Sequence, residues 1–375
     1  PEGTRHPGVA PTGPLPKSID FPLYKQVEPE KFSVIFFGDP QPRNQTEIDY
    51  IAHDVVEGLI GTDAKFGVTL GDIMFDDLAL FGSLNRTIAL VGIPWYNVIG
   101  NHDLNFEAKE DRFSDETFER VFGPSYYSFD FGKVHFIVLD NVNWGLQTNG
   151  RKSYVGNFGE RQLAFVKKSL ARVPENQLVV LSMHIPLSTT KDNQKLYRLI
   201  EKRPYTISLS GHTHWQAHHF IDEHAGWKGK KPHHHIVNVT VSGSWWTGAK
   251  DPRGIPHTTM RDGAPNGHSL LTFDGHNATF DFRAAGKPAD YQLRVHAPVE
   301  VAREELGKTY VYVNVFAGSR KSKVRMRVGS DGKWVDLGMT PEKDPWYVAM
   351  REKELKNGKV RPVNAAAVSQ HLWKG

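Results

Sequence analysis

A chain of 375 residues has room for roughly two to three domains at about 150 residues each, and 39% apolar with 23% charged residues is the composition of an ordinary globular protein. No uncharged run approaches the roughly 18 residues of a membrane span, and the formal charge of +4 reads as basic residues scattered over a mixed, solvated surface rather than a nucleic-acid stripe. Cysteine is absent, which excludes disulfides and thiolate ligands and leaves Asp, Asn, Gln and His to hold any metal.

Residues 1–30, rich in Pro and Gly and without a sustained period, read as a linker or extended arm. The apolar run 32–38 reads as a buried strand that stops at Asp39-Pro40-Gln41. Ile48, Ile51, Ala52, Val55, Val56 and Leu59 have helical spacing, which predicts a helix beginning at Thr46 with Thr46 and Asp49 as a capping box and Gly61 closing it. A second strand, 66–70, ends in Gly71-Asp72 and completes a βαβ-type unit. The run 93–99 stops at Gly100-Asn101-His102-Asp103, three polar side chains in a row.

Two aromatic and apolar runs, 126–131 and 134–139, flank Gly132-Lys133 and predict a hairpin. Helical spacing follows over 160–171 and 194–202. Between and after them, 178–183 runs into His184, and 206–210 delivers Gly211-His212-Thr213-His214. Beyond His214 the pattern changes to short strands, 237–241, 269–273, 309–316 and 324–328, separated by Gly and Asp turns. That predicts a small β-sandwich after a boundary near Asp274. The tail 364–373 ends on apolar residues, and His233-His234-His235 reads as a solvent-exposed run at a strand start, with metal binding as the alternative.

Five apolar runs thus end in carboxylate, amide or imidazole groups, and ligands of α/β proteins bind outside the carboxyl ends of such strands. In their order, Asp39-Pro40-Gln41, Gly71-Asp72, Gly100-Asn101-His102-Asp103, His184 and Gly211-His212-Thr213-His214, these motifs resemble the calcineurin-like metallophosphoesterase family over 32–214, just under half of the chain. The resemblance implies an α/β fold of four-layer type, two mixed β-sheets flanked by helices, with a smaller β-sandwich-like C-terminal domain. It implies that Asp39, Gln41, Asp72 and His214 hold one divalent ion and Asp72, Asn101, His184 and His212 a second, Asp72 bridging them. His102 would then face the phosphoryl group as proton donor or charge stabiliser, with Asp103 orienting its imidazole.

Two positions depart from the family pattern. Gln41 stands where many members have His, and its carbonyl oxygen favours Mn or Mg over Zn within the set Mn, Fe, Mg and Zn, with Mn preferred. Phe75 stands where a second Asp is usual, followed by Asp76 and Asp77. The segment 243–267 resembles a bacterial branch with a β domain on each side of the phosphoesterase. By that likeness 1–30 would link to a preceding domain, 31–274 would be the phosphoesterase and 275–375 the C-terminal domain, with a periplasmic or extracellular location.

The function so implied is hydrolysis of phosphomonoesters or phosphodiesters, a metal-bridging hydroxide attacking phosphorus in line. The alternative is a catalytically silent module of the same fold that holds a polyanion. No nucleic-acid partner is expected. The loops 104–123, 141–159 and 244–267 are expected to wall the pocket, with Arg43, Trp245, Trp246, Arg253 and His257 as candidate substrate contacts. Trp245 and Trp246 read equally as core, and Arg43 as an ordinary surface residue.

Overall fold

The computed structural model describes residues 17, 18, 28–146 and 150–375. Most of the arm expected over 1–30 lies outside the described residues. In chain order the first half runs β1 (Lys31–Phe37), α1 (Gln45–Ile51), β2 (Phe66–Leu70), α2 (Phe81–Ala89), β3 (Trp95–Val98) and α3 (Glu116–Phe122). The hairpins β4 (Tyr127–Phe131) with β5 (Val134–Val138), and β6 (Val142–Leu146) with β7 (Lys152–Gly156), come next. Then follow α4 (Gly159–Leu170), β8 (Leu178–Ser182), α5 (Asn193–Ile200), β9 (Thr206–Ser210), β10 (Ala217–Ile221), β11 (His233–Val237), β12 (Gly267–Asp274) and β13 (Asn277–Ala284).

Two mixed sheets are built from these strands, ordered β13-β12-β1-β2-β3 and β10-β11-β9-β8-β5-β4. Strands joined through helices pair in parallel, β1 with β2 and β8 with β9, whereas the hairpin strands pair antiparallel. Alternation along β1 explains the layering. Phe32, Val34 and Phe36 face Phe136, Val138, Val180 and Leu209 of the other sheet, while Ile35 and Phe37 face the cluster under α1 and α2. Val179 and Leu181 of β8 face α4 and α5 in the same way. The result is four layers, helices, sheet, sheet and helices, in which each fully buried large apolar side chain contributes about 1.5 to 3 kcal/mol.

Local differences from the sequence reading have local causes. The first helix begins at Gln45 because the Asn44 side chain accepts from Glu47 N, so the cap is Asn44 and not a Thr46–Asp49 box. It continues as a π turn and a 3-10 turn to Leu59, and Gly61 beyond it has φ of 82°. The division expected near Asp274 falls at the tip of the β12–β13 hairpin, both strands of which belong to the first sheet.

His233 and His235 are not a solvated run. They are buried, because Thr206, Ser208 and Ser210 of the adjoining strand β9 supply hydroxyl partners for their ring nitrogens.

The remaining elements are β14 (Leu293–His296), β15 (Tyr312–Val315), β16 (Arg325–Met326), β17 (Val335–Asp336), β18 (Gly338–Met339), α6 (Pro345–Asn357) and β19 (Leu372–Lys374). They give a four-stranded antiparallel sheet, β14-β15-β19-β18, and the short hairpin β16–β17. The apolar tail is explained by β19, which places Trp373 in the core against Val313 and Leu337.

Candidate metal centre

The ends of β1, β2, β3, β8 and β9 bring seven side chains together, and the backbone there is unusual. Asp39, Gln41, Asp72, His212 and His214 have φ of 39°, 41°, 48°, 79° and 58°, a left-handed region that costs non-glycine residues energy and is tolerated where surrounding structure over-determines it. Five of the seven residues expected from the sequence to bind metal are therefore held in strained conformations. Glycines let the turns close over them: a Cβ on Gly100 would lie 1.9 Å from Asp72 N, and one on Gly211 would lie 2.6 Å from Asp39 Oδ1.

The polar atoms converge on Asp72. Its Oδ1 is 3.2 Å from His184 Nε2, and His184 Nε2 is 3.0 Å from Asn101 Oδ1 and 3.2 Å from His212 Nδ1. Asp72, His184 and His212 each offer a ligand atom within 4.8 Å of the others. On the other side, Asp72 Oδ2 accepts from Gln41 Nε2 at 2.7 Å, and His214 Nε2 lies 3.9 Å from Asp39 Oδ2. The far ring nitrogens are fixed: His184 Nδ1 donates to Leu70 O at 2.8 Å and His214 Nδ1 to Gly243 O at 2.6 Å. A donor bond of that kind sets the tautomer and aims Nε2 inward, as in histidines that bind metals.

The electrostatics suit cations. Burial drives Asp39 up to about 7, while His184 pulls it the other way. Asp72 is also pushed up by burial, but His184 and His102 outweigh that and hold it well below the usual carboxylate range. Burial alone would lower His184, yet Asp72 and Asp39 raise it to about 9. Burial, and then His184, lower His212 to about 4, and burial lowers His214 to about 3, so both rings are neutral, the form that binds a metal. Among the described residues, Gln41 Oε1 is buried without a hydrogen-bond partner. An oxygen and imidazole set around shared carboxylates, with one orphaned amide oxygen, fits two divalent cations.

His102 lies beside this cluster, and its partner is not the one expected. Its Nδ1 is 2.6 Å from Asp76 Oδ1, and its ring stacks on Phe75 with centroids 4.5 Å apart. Asp103 is turned inward, where it accepts from Gly100 N at 2.8 Å, Met74 N at 2.9 Å and Ile73 N at 3.1 Å. It ties the two turns together and does not orient the imidazole. Burial, and then Asp72, raise its carboxyl to about 7. The sequence held the signal for Asp76: a carboxylate displaced by one position from the usual place, next to an aromatic residue. Tyr154 of β7 was not singled out by sequence, although it sits edge-on to His212 with centroids 5.9 Å apart.

The candidate substrate contacts divide. Trp245 stacks on His214, centroids 3.7 Å apart, and so borders the centre. Trp246 is core, its Nε1 donating to Pro40 O at 3.0 Å and its ring facing Tyr50. Arg43 is engaged by Glu47 and by the Trp245 carbonyl. Arg253 is paired with Asp54 and Asp251, and His257 Nε2 is 2.8 Å from the Glu354 carboxylate of α6. Both line a separate cavity of about 390 Å³ with Tyr291, Arg294 and Trp346, which no metal-centre residue borders.

The expectation that Arg253 and His257 wall the pocket is corrected accordingly, since neighbouring carboxylates claim their polar atoms. His257→Ala should lower stability by about 1.5 to 3 kcal/mol, the loss of a hydrogen bond to a charged group, with kcat/KM on an aryl phosphate unchanged. A fall in kcat/KM at constant melting temperature would return His257 to the pocket.

Comparison with known proteins gives two matches to family sequence models. Residues 32–216 match the family described as calcineurin-like phosphoesterase, and 235–375 match the C terminal of calcineurin-like phosphoesterase. Among solved structures, a purple acid phosphatase from yellow lupin (Lupinus luteus) seeds is similar at 14% identity and TM-score 0.45, over 82% of this chain and 53% of that one. This chain thus spans about half the length of the lupin protein. A dimetal phosphatase from Danio rerio is similar at 13% identity and TM-score 0.42, over 64% of this chain and 92% of that one. No curated protein matches.

Proposed function

The chain belongs to the calcineurin-like phosphoesterase family, and from that premise we propose that it is a dimetal-dependent hydrolase of phosphoric esters. The observation that carries the reading is the strained backbone at Asp39, Gln41, Asp72, His212 and His214, five positions whose side chains gather around the carboxylates of Asp72 and Asp39. Strain of this kind, repeated at five neighbouring positions, is expected of a site and not of a core. Asp39, Gln41, Asp72 and His214 would hold one cation, and Asp72, Asn101, His184 and His212 the other. Bound there, the pair supplies Lewis acidity toward phosphoryl oxygens and a nucleophilic water at neutral pH.

The chain's own residues do the rest. His102, held by Asp76 and stacked on Phe75, would give a proton to the departing alkoxide. The Trp245 ring, lying on His214, covers one side of the centre, and the Tyr154 ring stands against His212 on another. The presence of the complete donor set together with His102 favours an enzyme over a silent polyanion-binding module. Hydrolysis of p-nitrophenyl phosphate and bis(p-nitrophenyl) phosphate, after chelation and readdition of Mn, Mg or Zn, tests this reading. No turnover of either ester with any of the three would overturn it.

Metal choice follows from Gln41. An amide oxygen suits Mn or Mg, and imidazole suits Zn, so Gln41→His should move the preference toward Zn in parallel titrations of the two variants with Mn and Zn. An unchanged preference would place Gln41 outside the ligand set.

A further inference from the structure

The hairpin β16–β17 concentrates charge that the sequence reading had taken as scattered. Arg320, Lys321, Lys323, Arg325, Arg327 and Lys333 stand there against Asp331 and Asp336. The surplus equals the formal charge of the whole chain, +4. Alternation is the cause. Lys321, Lys323, Arg325 and Arg327 recur at every second residue and are exposed, while Val324 and Met326 between them pack onto Val313, Leu337 and Trp373.

The inner end of the hairpin is anchored. Arg320 donates to Phe220 O at 3.0 Å, and Lys321 lies over the Phe220 ring at 3.9 Å. Among the described residues Lys323, Arg325, Arg327 and Lys333 make no ion pair with a carboxylate. At the outer end Trp334, 54% exposed, lies within 5.4 Å of the Arg325 guanidinium and 5.0 Å of that of Arg327. Val328 and Val335 beside it are 82% and 53% exposed.

Unpaired cations alone would suit any polyanion. A tryptophan and two valines held out among them need a partner that is anionic at its surface and apolar beneath it, and aromatic side chains favour the headgroup level of a bilayer. We propose that this hairpin docks the protein on an anionic phospholipid surface, with the cations on lipid phosphates and Trp334 and Val328 seated between headgroups. A single-stranded nucleic acid would use the cations and the ring, but it would leave both valines in water. The inference is independent of the metal centre.

Co-sedimentation of the full chain with vesicles tests it. Vesicles of phosphatidylcholine mixed with phosphatidylglycerol should bind the chain, and phosphatidylcholine alone should not; raising the salt should release it. Arg325→Glu with Arg327→Glu should weaken binding about tenfold or more, and Trp334→Ser should weaken it at an unchanged salt dependence. Melting temperature controls for folding, and the milder pair Lys323→Gln with Lys333→Gln replaces the charge reversal if that variant fails to fold. Absence of binding, equal binding to both vesicle types, or undiminished binding by the charge variants would each overturn the proposal. So would a single-stranded oligonucleotide that binds more tightly than the anionic vesicles.

Discussion

Replacing Asp72 by Asn should lower kcat/KM on an aryl phosphate by roughly three orders of magnitude or more, the scale of losing a bridged metal pair, and should remove at least one equivalent of metal. Asp72 touches both halves of the centre with its own carboxylate oxygens. Its Oδ1 faces His184 and accepts from His102 N at 2.9 Å, and its Oδ2 faces Gln41. Asparagine has the same shape and keeps an oxygen for the His102 amide, so the turn and the melting temperature should survive. What it lacks is the negative charge that lets one side chain face two cations. Metal content measured alongside kcat/KM separates this from misfolding. Full activity with unchanged metal content would end the dimetal reading.

The same residue shows why part of the site was legible in sequence. A polar break after an apolar run marks the carboxyl end of a buried strand, and five such breaks, at Asp39, Asp72, Asn101, His184 and His212, fall on adjoining strands of the two sheets. Those side chains meet because the strands do. Partnerships across loops were not legible. Asp103 follows His102 in sequence, yet the turn closed by Asp103 N on Gly100 O sends its carboxylate to the amides of Ile73 and Met74. Asp76, remote in sequence, takes the imidazole instead.

His233 and His235 carried a similar trap, because their burial depends on hydroxyls of β9 that only the sheet order brings beside them. The helix α6 was missed for the opposite reason. Its signals were present, Asp344 as cap, Pro345 in the first turn and Gly358 after the last, but the alternating strands before it, 309–316 and 324–328, set a β-rich expectation for the whole region.

His102→Asn should lower kcat by about 10²- to 10⁴-fold, the usual contribution of a positioned general acid. The size of the loss should depend on the leaving group. An alkyl phosphate, whose alkoxide leaves poorly without a proton, should suffer far more than p-nitrophenyl phosphate. Asp76→Asn separates position from protonation. Burial pulls the His102 imidazole down, but Asp72 and Asp76 outweigh it and raise it above its ordinary value. A raised pKa keeps the proton-bearing form present to higher pH, so removing the Asp76 carboxylate should move the alkaline limb of kcat/KM to lower pH. Metal content should stay constant, because Asp76 is not among the converging donors. Should the limb keep its place, with alkyl and aryl esters losing rate equally, Asp76 would be a structural partner of the ring and His102 would not be the proton donor.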